Sequence, residues 1–329
     1  MPEVMTTYLG RESPALRHLA GRFIPCTHTS RGGRGGRGRV CDAYGFQLGL
    51  ATLPGTSDTA CHDDAGRELF DILREARLPI ELQPRHIFAL HVPAVALAPT
   101  GRKPSIVPDA LMHHTSLPDI PTRIGERRGD PQPARRLLFD VKTIHAGGGS
   151  YYTRRAYDQQ GGAVHERELQ IWHEYQRHAR ELDTRFSPAG QHPILSLLQS
   201  HGRTRGLVYG AYGEGSADVH ALIAKAAEAR AAILWREAGA RTETEMRAFL
   251  IGQMRRRVGV AAVQAMARHR IARVPYVGAS HAVVQATQAQ RRLRQRGGQG
   301  AWVHEAQDVQ AMQGLAVWQV GGAAAAWAA

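Results

Sequence analysis

The sequence predicts an α/β protein, and three stretches carry that reading. In residues 136–144, Leu138, Asp140, Lys142 and Ile144 fall on one face at period two while Leu137, Phe139, Val141 and Thr143 fall on the other, the alternation of a strand. Residues 163–186 instead space Leu169, Trp172, Tyr175, Ala179 and Leu182 by three or four, the period of an amphipathic helix. Residues 206–212 form a short apolar run bounded by glycine, which reads as a further, buried strand.

The other elements follow from the amino terminus onward. Residues 1 to about 40 hold small polar residues and an Arg-Gly run with Arg31, Arg34, Arg37 and Arg39. With nothing to bury, this segment is expected to be disordered. It reads either as an arm whose guanidinium groups meet phosphates and stack on bases, or as a flexible linker. From 63 to 77, Leu69, Ile72, Leu73 and Ala76 recur at helical spacing, with Thr59 or Asp63 as the expected cap and Glu68 and Asp71 nearby. Residues 78–92 read as a pair of extended segments that Pro84 confines to an edge or a bend, with Glu81 on the first.

Residues 106–109, Ile-Val-Pro-Asp, form a short β-prone run ending in a carboxylate; a polar, Pro-rich insert suited to a long hairpin connection separates Asp109 from Asp140. Gly147, Gly148 and Gly149 then break the chain. After the strand at 206–212, Ser216 or Asp218 is placed to cap a helix running to about 238. Thr242 followed by Glu245 is a capping-box signature for another helix, to about 274. That helix carries Arg255, Arg256 and Arg257, then Arg268, His269, Arg270 and Arg273; this is either a basic stripe that tracks a phosphate backbone or a solvated face. Beyond Pro275 the chain is rich in Gln, Ala and Arg and is of low complexity.

Composition narrows the function classes. The 329 residues hold 42 Lys and Arg against 29 Asp and Glu, a formal charge of +13 that favours a polyanionic partner, nucleic acid first. A membrane partner is not expected, because there is no apolar run long enough to span and no basic amphipathic helix with a bulky aromatic face. The first residues lack the basic-then-apolar pattern of a secretory signal, so an intracellular location, the nucleus included, is expected. Three cysteines exclude a disulfide scaffold.

The chemistry concentrates on Asp140 and Lys142, which point the same way from one strand, and on Asp109. Two carboxylates and a lysine that converge can hold a divalent cation against a phosphodiester and position an attacking water. The plainest competing reading is an Asp140–Lys142 ion pair on a strand face. Pro108-Asp109 followed by Asp140-Val141-Lys142 resembles the PD-(D/E)XK motif of restriction-endonuclease-like nucleases. Residues from about 63 to 274 are similar to the endonuclease domain that follows the reverse transcriptase in some non-LTR retrotransposons. The ordered elements behind that likeness are a helix with Glu68, the Pro-Asp run, the Asp-x-Lys strand, a long helix with Tyr175, and a Gly-flanked strand.

The resemblance implies a mixed sheet of about four strands flanked by helices, with a C-terminal helical extension. It divides the chain into a largely disordered arm at 1–60, a nuclease-like core at 61–215, helices packed on that core at 216–275 and a tail at 276–329. It implies a metal-dependent DNA endonuclease with Mg²⁺, or Mn²⁺, held by Asp109, Asp140 and the Val141 carbonyl. Lys142 would act on the water, Glu68 or Glu81 would complete the acidic set, and Tyr175 and Arg177 would approach the site from the long helix. Arg31, Arg34, Arg37, Arg39, Arg255, Arg256 and Arg257 are the expected nucleic-acid contacts. In that family a compact Cys/His knuckle precedes the core, but Cys26, His28, Cys41, Cys61 and His62 lack the paired ligand spacing of a dependable zinc site. Bound zinc is therefore not expected. The remaining alternative is a copy that has lost catalysis and survives as a nucleic-acid-binding module or scaffold.

Overall fold

The computed structural model describes residues 12–25, 38–51, 53–54, 57–93, 97, 106–113, 136–145 and 162–296. Four strands form one mixed sheet: β3 (Ile80–Leu82), β4 (Ala110–His113), β5 (Arg136–Thr143) and β6 (Arg205–Tyr209), adjacent in that order. β3 with β4 and β4 with β5 are antiparallel, whereas β5 and β6 are parallel. A parallel pair needs a crossover, supplied here by α3 (Gly162–Phe186) and α4 (Pro193–Ser200). The sheet is thus mixed, of four strands and helix-flanked, as expected.

Both faces of β5 are covered, as the period-two reading requires. Leu137, Phe139 and Val141 join a core built with α2 (Ser57–Glu75), α5 (Ala217–Leu234) and α6 (Glu243–Ile271). Leu138 and Ile144 join the opposite core, made with Ile171, Tyr175, Ala179 and Leu182 of α3 and Ile194 and Leu198 of α4. The helices at 216–275 therefore complete one layer of the domain. Thr242 caps α6 as expected, Glu245 N–H donating to its hydroxyl at 3.1 Å, while the Glu245 carboxylate reaches one residue past the cap and accepts from Arg241 N–H at 2.9 Å.

Several elements differ from expectation, each for a physical reason. α2 begins at Ser57, which places Thr59 and Asp63 inside it instead of at its cap. Cys61 and Ala65 extend the apolar stripe of Leu69 and Leu73 by two turns at i, i+4, and both are buried. Residues 106–109 are irregular, and the strand starts one residue later; Pro108 has no N–H to offer a ladder, while Asp109 N–H donates to the Phe139 carbonyl at 2.9 Å. Only the first half of 78–92 is extended. Past β3 the chain turns through a short 3₁₀ helix, Arg85–Ile87, and buries Ile87, Phe88 and Val92.

The largest correction concerns the segment read as an arm. Residues 12–25 and 38–51 bear a small sheet of β1 (Phe23–Ile24) and β2 (Arg39–Val40) and the short helix α1 (Phe46–Leu50). Leu16, Leu19, Ile24 and Leu48 bury there against Tyr276 and Val284, from the stretch read as a tail. Arg273 is buried too, its guanidinium donating to the carbonyls of Leu48, Gly49 and Ala51 at 3.1, 2.9 and 2.6 Å, a cation at the C-terminal end of α1. Arg270 donates to the Tyr44 carbonyl and His269 stacks on His145, so these members of the basic stripe are structural. Of that group Arg268 stays exposed, paired with Asp64. The tail also contributes α7 (His281–Arg296). Among the described residues no helix is long and apolar enough to cross a membrane.

Candidate active site

The site forms where β4 enters the sheet beside the middle of β5. Asp140 lies across from Gly206 of β6, and any Cβ at Gly206 would sit 2.7 Å from the Ile171 side chain and 3.0 Å from the Glu168 backbone. Glycine therefore lets α3 approach β6 closely at this level. One turn beyond Ile171, Tyr175 reaches the strand and its hydroxyl donates to Asp140 Oδ1 at 3.0 Å. Lys142, two residues along the same face, brings Nζ to 2.6 Å from Asp140 Oδ2. That contact is a close charge pair lying off the hydrogen-bonding direction, so buried Oδ2 has no aligned donor.

Asp109, just before β4, is held from the other side. Its Oδ2 accepts the Val141 N–H at 2.7 Å and faces His62 Nε2 at 3.1 Å, while His62 Nδ1 lies 2.9 Å from Asp63. Asp109, Asp140, Lys142 and Tyr175 line one cavity of about 160 Å³, together with Val107, Glu174 and His178. The Pro-Asp and Asp-x-Lys residues, 31 positions apart at their aspartates, thus meet at one opening, with Tyr175 as expected.

The electrostatics set the two aspartates apart. Burial alone would raise the Asp109 pKa, but the hydrogen bond and charge of His62, the Lys142 charge and the Val141 amide hold it below the usual carboxylate value. Burial dominates at Asp140 and, with the negative charge of Asp109, outweighs Lys142, so its pKa is raised. Burial also opposes charge on His62, yet its hydrogen bonds to Asp109 and Asp63 prevail and push it up to about 10. Tyr175 is pushed well up by burial and the neighbouring carboxylates, and it stays a neutral donor.

A hard divalent cation fits this donor set. Asp140 Oδ2 is a buried oxygen short of an aligned donor, and Mg²⁺ characteristically takes one or two carboxylates and keeps waters or phosphate oxygens for the rest. Among the described residues no three His, Cys, Asp or Glu side chains gather into a metal-ligating cluster. The side-chain ligands would therefore be the two aspartates, with Lys142 balancing charge.

Two expected acids lie elsewhere. Glu68 accepts from Arg257 Nε at 2.7 Å, on the side of α2 that meets α6, whereas His62, Gly66 and Phe70 line the side near Asp109. Glu81 pairs with His86 at 3.0 Å on the edge strand. The residue that α2 does deliver is His62, which the sequence presented only as a zinc candidate. Its signal was the i, i+4, i+8 row of His62, Gly66 and Phe70 beside the apolar row of Cys61, Ala65 and Leu69. Cys61 and His62 do diverge, Cys61 entering the α2–sheet core and Cys41 the amino-terminal cluster. Arg177 is exposed on α3. Arg255 and Arg256 are exposed on α6, Arg257 is bound to Glu68 and Glu75, and Arg39 donates to Gln47 at 2.7 Å. Arg31, Arg34, Arg37, Cys26 and His28 lie outside the described residues. No protein-family model, curated protein or solved structure matches the chain.

Proposed function

We propose that the protein is a metal-dependent endonuclease of the PD-(D/E)XK kind, retroelement-derived, that hydrolyses DNA phosphodiester bonds. One observation carries the reading: Asp109, at the entrance to β4, and Asp140, in the neighbouring β5, reach a single cavity, with Lys142 on the same face as Asp140. A bound Mg²⁺ or Mn²⁺ would neutralise the phosphate and acidify a water. Asp109, Asp140 and the Val141 carbonyl would hold it. Lys142, partly exposed beside Asp140, would orient the attacking water and offset charge developing on the phosphate. Tyr175 fixes the Asp140 carboxylate, and His62 with the Val141 amide fixes Asp109, so one oxygen of each is oriented without a search through rotamers. The formal charge of +13 supports a polyanionic substrate.

Plasmid nicking beside a binding measurement tests this. The parent protein should nick in Mg²⁺ and stop in chelator, and Asp140→Asn and Lys142→Ala should bind DNA without nicking it. Nicking that survives chelator, or that both variants retain, contradicts the mechanism. Binding with no nicking by the parent selects a module that has lost catalysis; that reading draws support from Glu68, which is engaged by Arg257 instead of the site.

A further inference from the structure

A second cavity, of about 290 Å³, opens between α2 and the edge strand β3, on the far side of Asp109. Asp109 lines both cavities and stands between them. The ring of Phe70, anchored in the core, and the side chain of Leu82, 41% exposed on β3, give this second space an apolar wall. At its lip stands Gln83 with φ 48°, a left-handed conformation that non-glycine residues adopt at a cost. The backbone holds it there: Gln83 N–H donates to the Asp109 carbonyl at 2.8 Å, and the Gln83 carbonyl accepts from Arg85 N–H at 2.7 Å. Its carboxamide, exposed, has no partner among the described residues. Arg67 and Arg74 stand at the rim, their side chains half or more exposed and, among the described residues, paired with Asp64 and Asp71 of their own helix.

We propose that this cavity receives one unstacked nucleobase of the strand being cut, adjacent to the phosphate at Asp109 and Asp140. This rests on the nuclease reading and specifies its substrate. An aromatic ring beside an aliphatic side chain is a slot for a planar base. A carboxamide at its lip offers one donor and one acceptor, the pairing that reads a base edge. Exposed arginines at the rim suit the flanking phosphates. The volume lies near the lower end of the roughly 300–1,000 Å³ of small-molecule sites, fitting one base and not a base pair with its backbone. A base inside an intact stack cannot enter, so the substrate is a strand with an unpaired or flipped nucleotide beside the scissile bond, as at a junction, bulge or flap.

An abasic scan tests this. Oligonucleotides with a junction between duplex and single strand are made with the base removed at one position at a time, phosphates intact, and binding is followed by anisotropy in chelator. At one position near the junction, loss of the base should weaken binding about 5- to 100-fold, the worth of one base on an aromatic ring. Leu82→Trp, which fills the slot, should erase that penalty, and Gln83→Gly, which removes the carboxamide at a φ that glycine prefers, should reduce it. Both sites are exposed, and the variants should bind the abasic strand within about twofold of the parent because phosphate contacts are unchanged. A scan with no sensitive position, or a penalty that both variants keep, overturns the base slot while salt-dependent binding leaves the nuclease reading intact. Absence of salt-dependent binding to every oligonucleotide overturns both.

Discussion

Two groups of charged side chains lie two turns of α3 apart, and their contrast separates function from architecture. Around Tyr175, Asp109, Asp140 and Lys142 line a cavity while His62 meets Asp109 from behind, and Lys142 and His62 keep 31% and 26% of their side-chain surface exposed. Around Glu168, the Arg205 guanidinium donates to Asp218 at 2.7 Å, Asp218 N–H donates to Glu168 at 3.0 Å, and the Ser216 hydroxyl donates to the Gly206 carbonyl at 2.7 Å. No member of this second group exceeds 3% exposure. Residue types overlap: each group has two carboxylates, a hydroxyl and at least one basic side chain. The closed group ties the start of α5 to α3 and β6. The open group can exchange its internal cations for external ones.

The contrast breaks most visibly at the two basic residues. Lys142→Ala should lower cleavage by about 10²- to 10³-fold, as for loss of one group that stabilises transition-state charge, with a smaller loss of stability than at Arg205 because Lys142 is partly exposed. Arg205→Met removes the hydrogen-bonded cation of Asp218 and leaves only the more distant Arg203, at 3.9 Å, and should cost about 1–3 kcal/mol in denaturant unfolding, while the folded fraction cleaves at the parent rate. A Lys142 variant that unfolds as readily as the Arg205 variant would make the open group structural as well.

A smaller effect is expected from Tyr175→Phe, which removes the donor to Asp140 Oδ1. Stability should fall by about 0.5–1.5 kcal/mol, and cleavage should fall with it, because the carboxylate is freed to rotate. The mildest test is pH dependence without divalent cations. His62 has a folded pKa of about 10 against an ordinary value of 6.5, so it binds more proton folded than unfolded between those values. Its contribution is complete below about pH 6.5 and is lost as pH rises toward 10. His62→Gln should flatten that part of the stability profile; an unchanged profile would show that the Asp109–His62 contact carries no such linkage.

What the sequence made legible was local. The two faces of β5, the extent of α3 and the Thr242 cap of α6 each follow from spacing within a few residues, and each is present. Asp140 and Lys142 were legible as a pair for the same reason. Less legible was anything decided by distant partners. Arg273 looks like a solvated helix arginine until Gly49, 224 residues upstream, supplies a carbonyl for it. Glu68 looks like a first-helix acid until Arg257, 189 residues on, takes its carboxylate. His62 escaped notice because Cys61 beside it suggested metal binding, whereas on a helix the two side chains serve opposite tasks: Cys61 packs in the core and His62 meets Asp109. Apolar residues on either side of the Arg-Gly run were hidden by its composition, although Leu16, Ile24 and Leu48 bury against Tyr276.

The most direct test is whether Asp109 and Asp140 share one cation. Mn²⁺ binding is measured by electron paramagnetic resonance titration, with and without an uncleavable phosphorothioate strand, for the parent, Asp109→Asn, Asp140→Asn and Arg205→Met proteins. The expected result is one Mn²⁺ site, tighter in the presence of the strand, lost in both aspartate variants and kept in the folded fraction of Arg205→Met. No Mn²⁺ site under either condition, or one that both aspartate variants retain, would contradict the assignment of the open group as a metal-dependent catalytic centre.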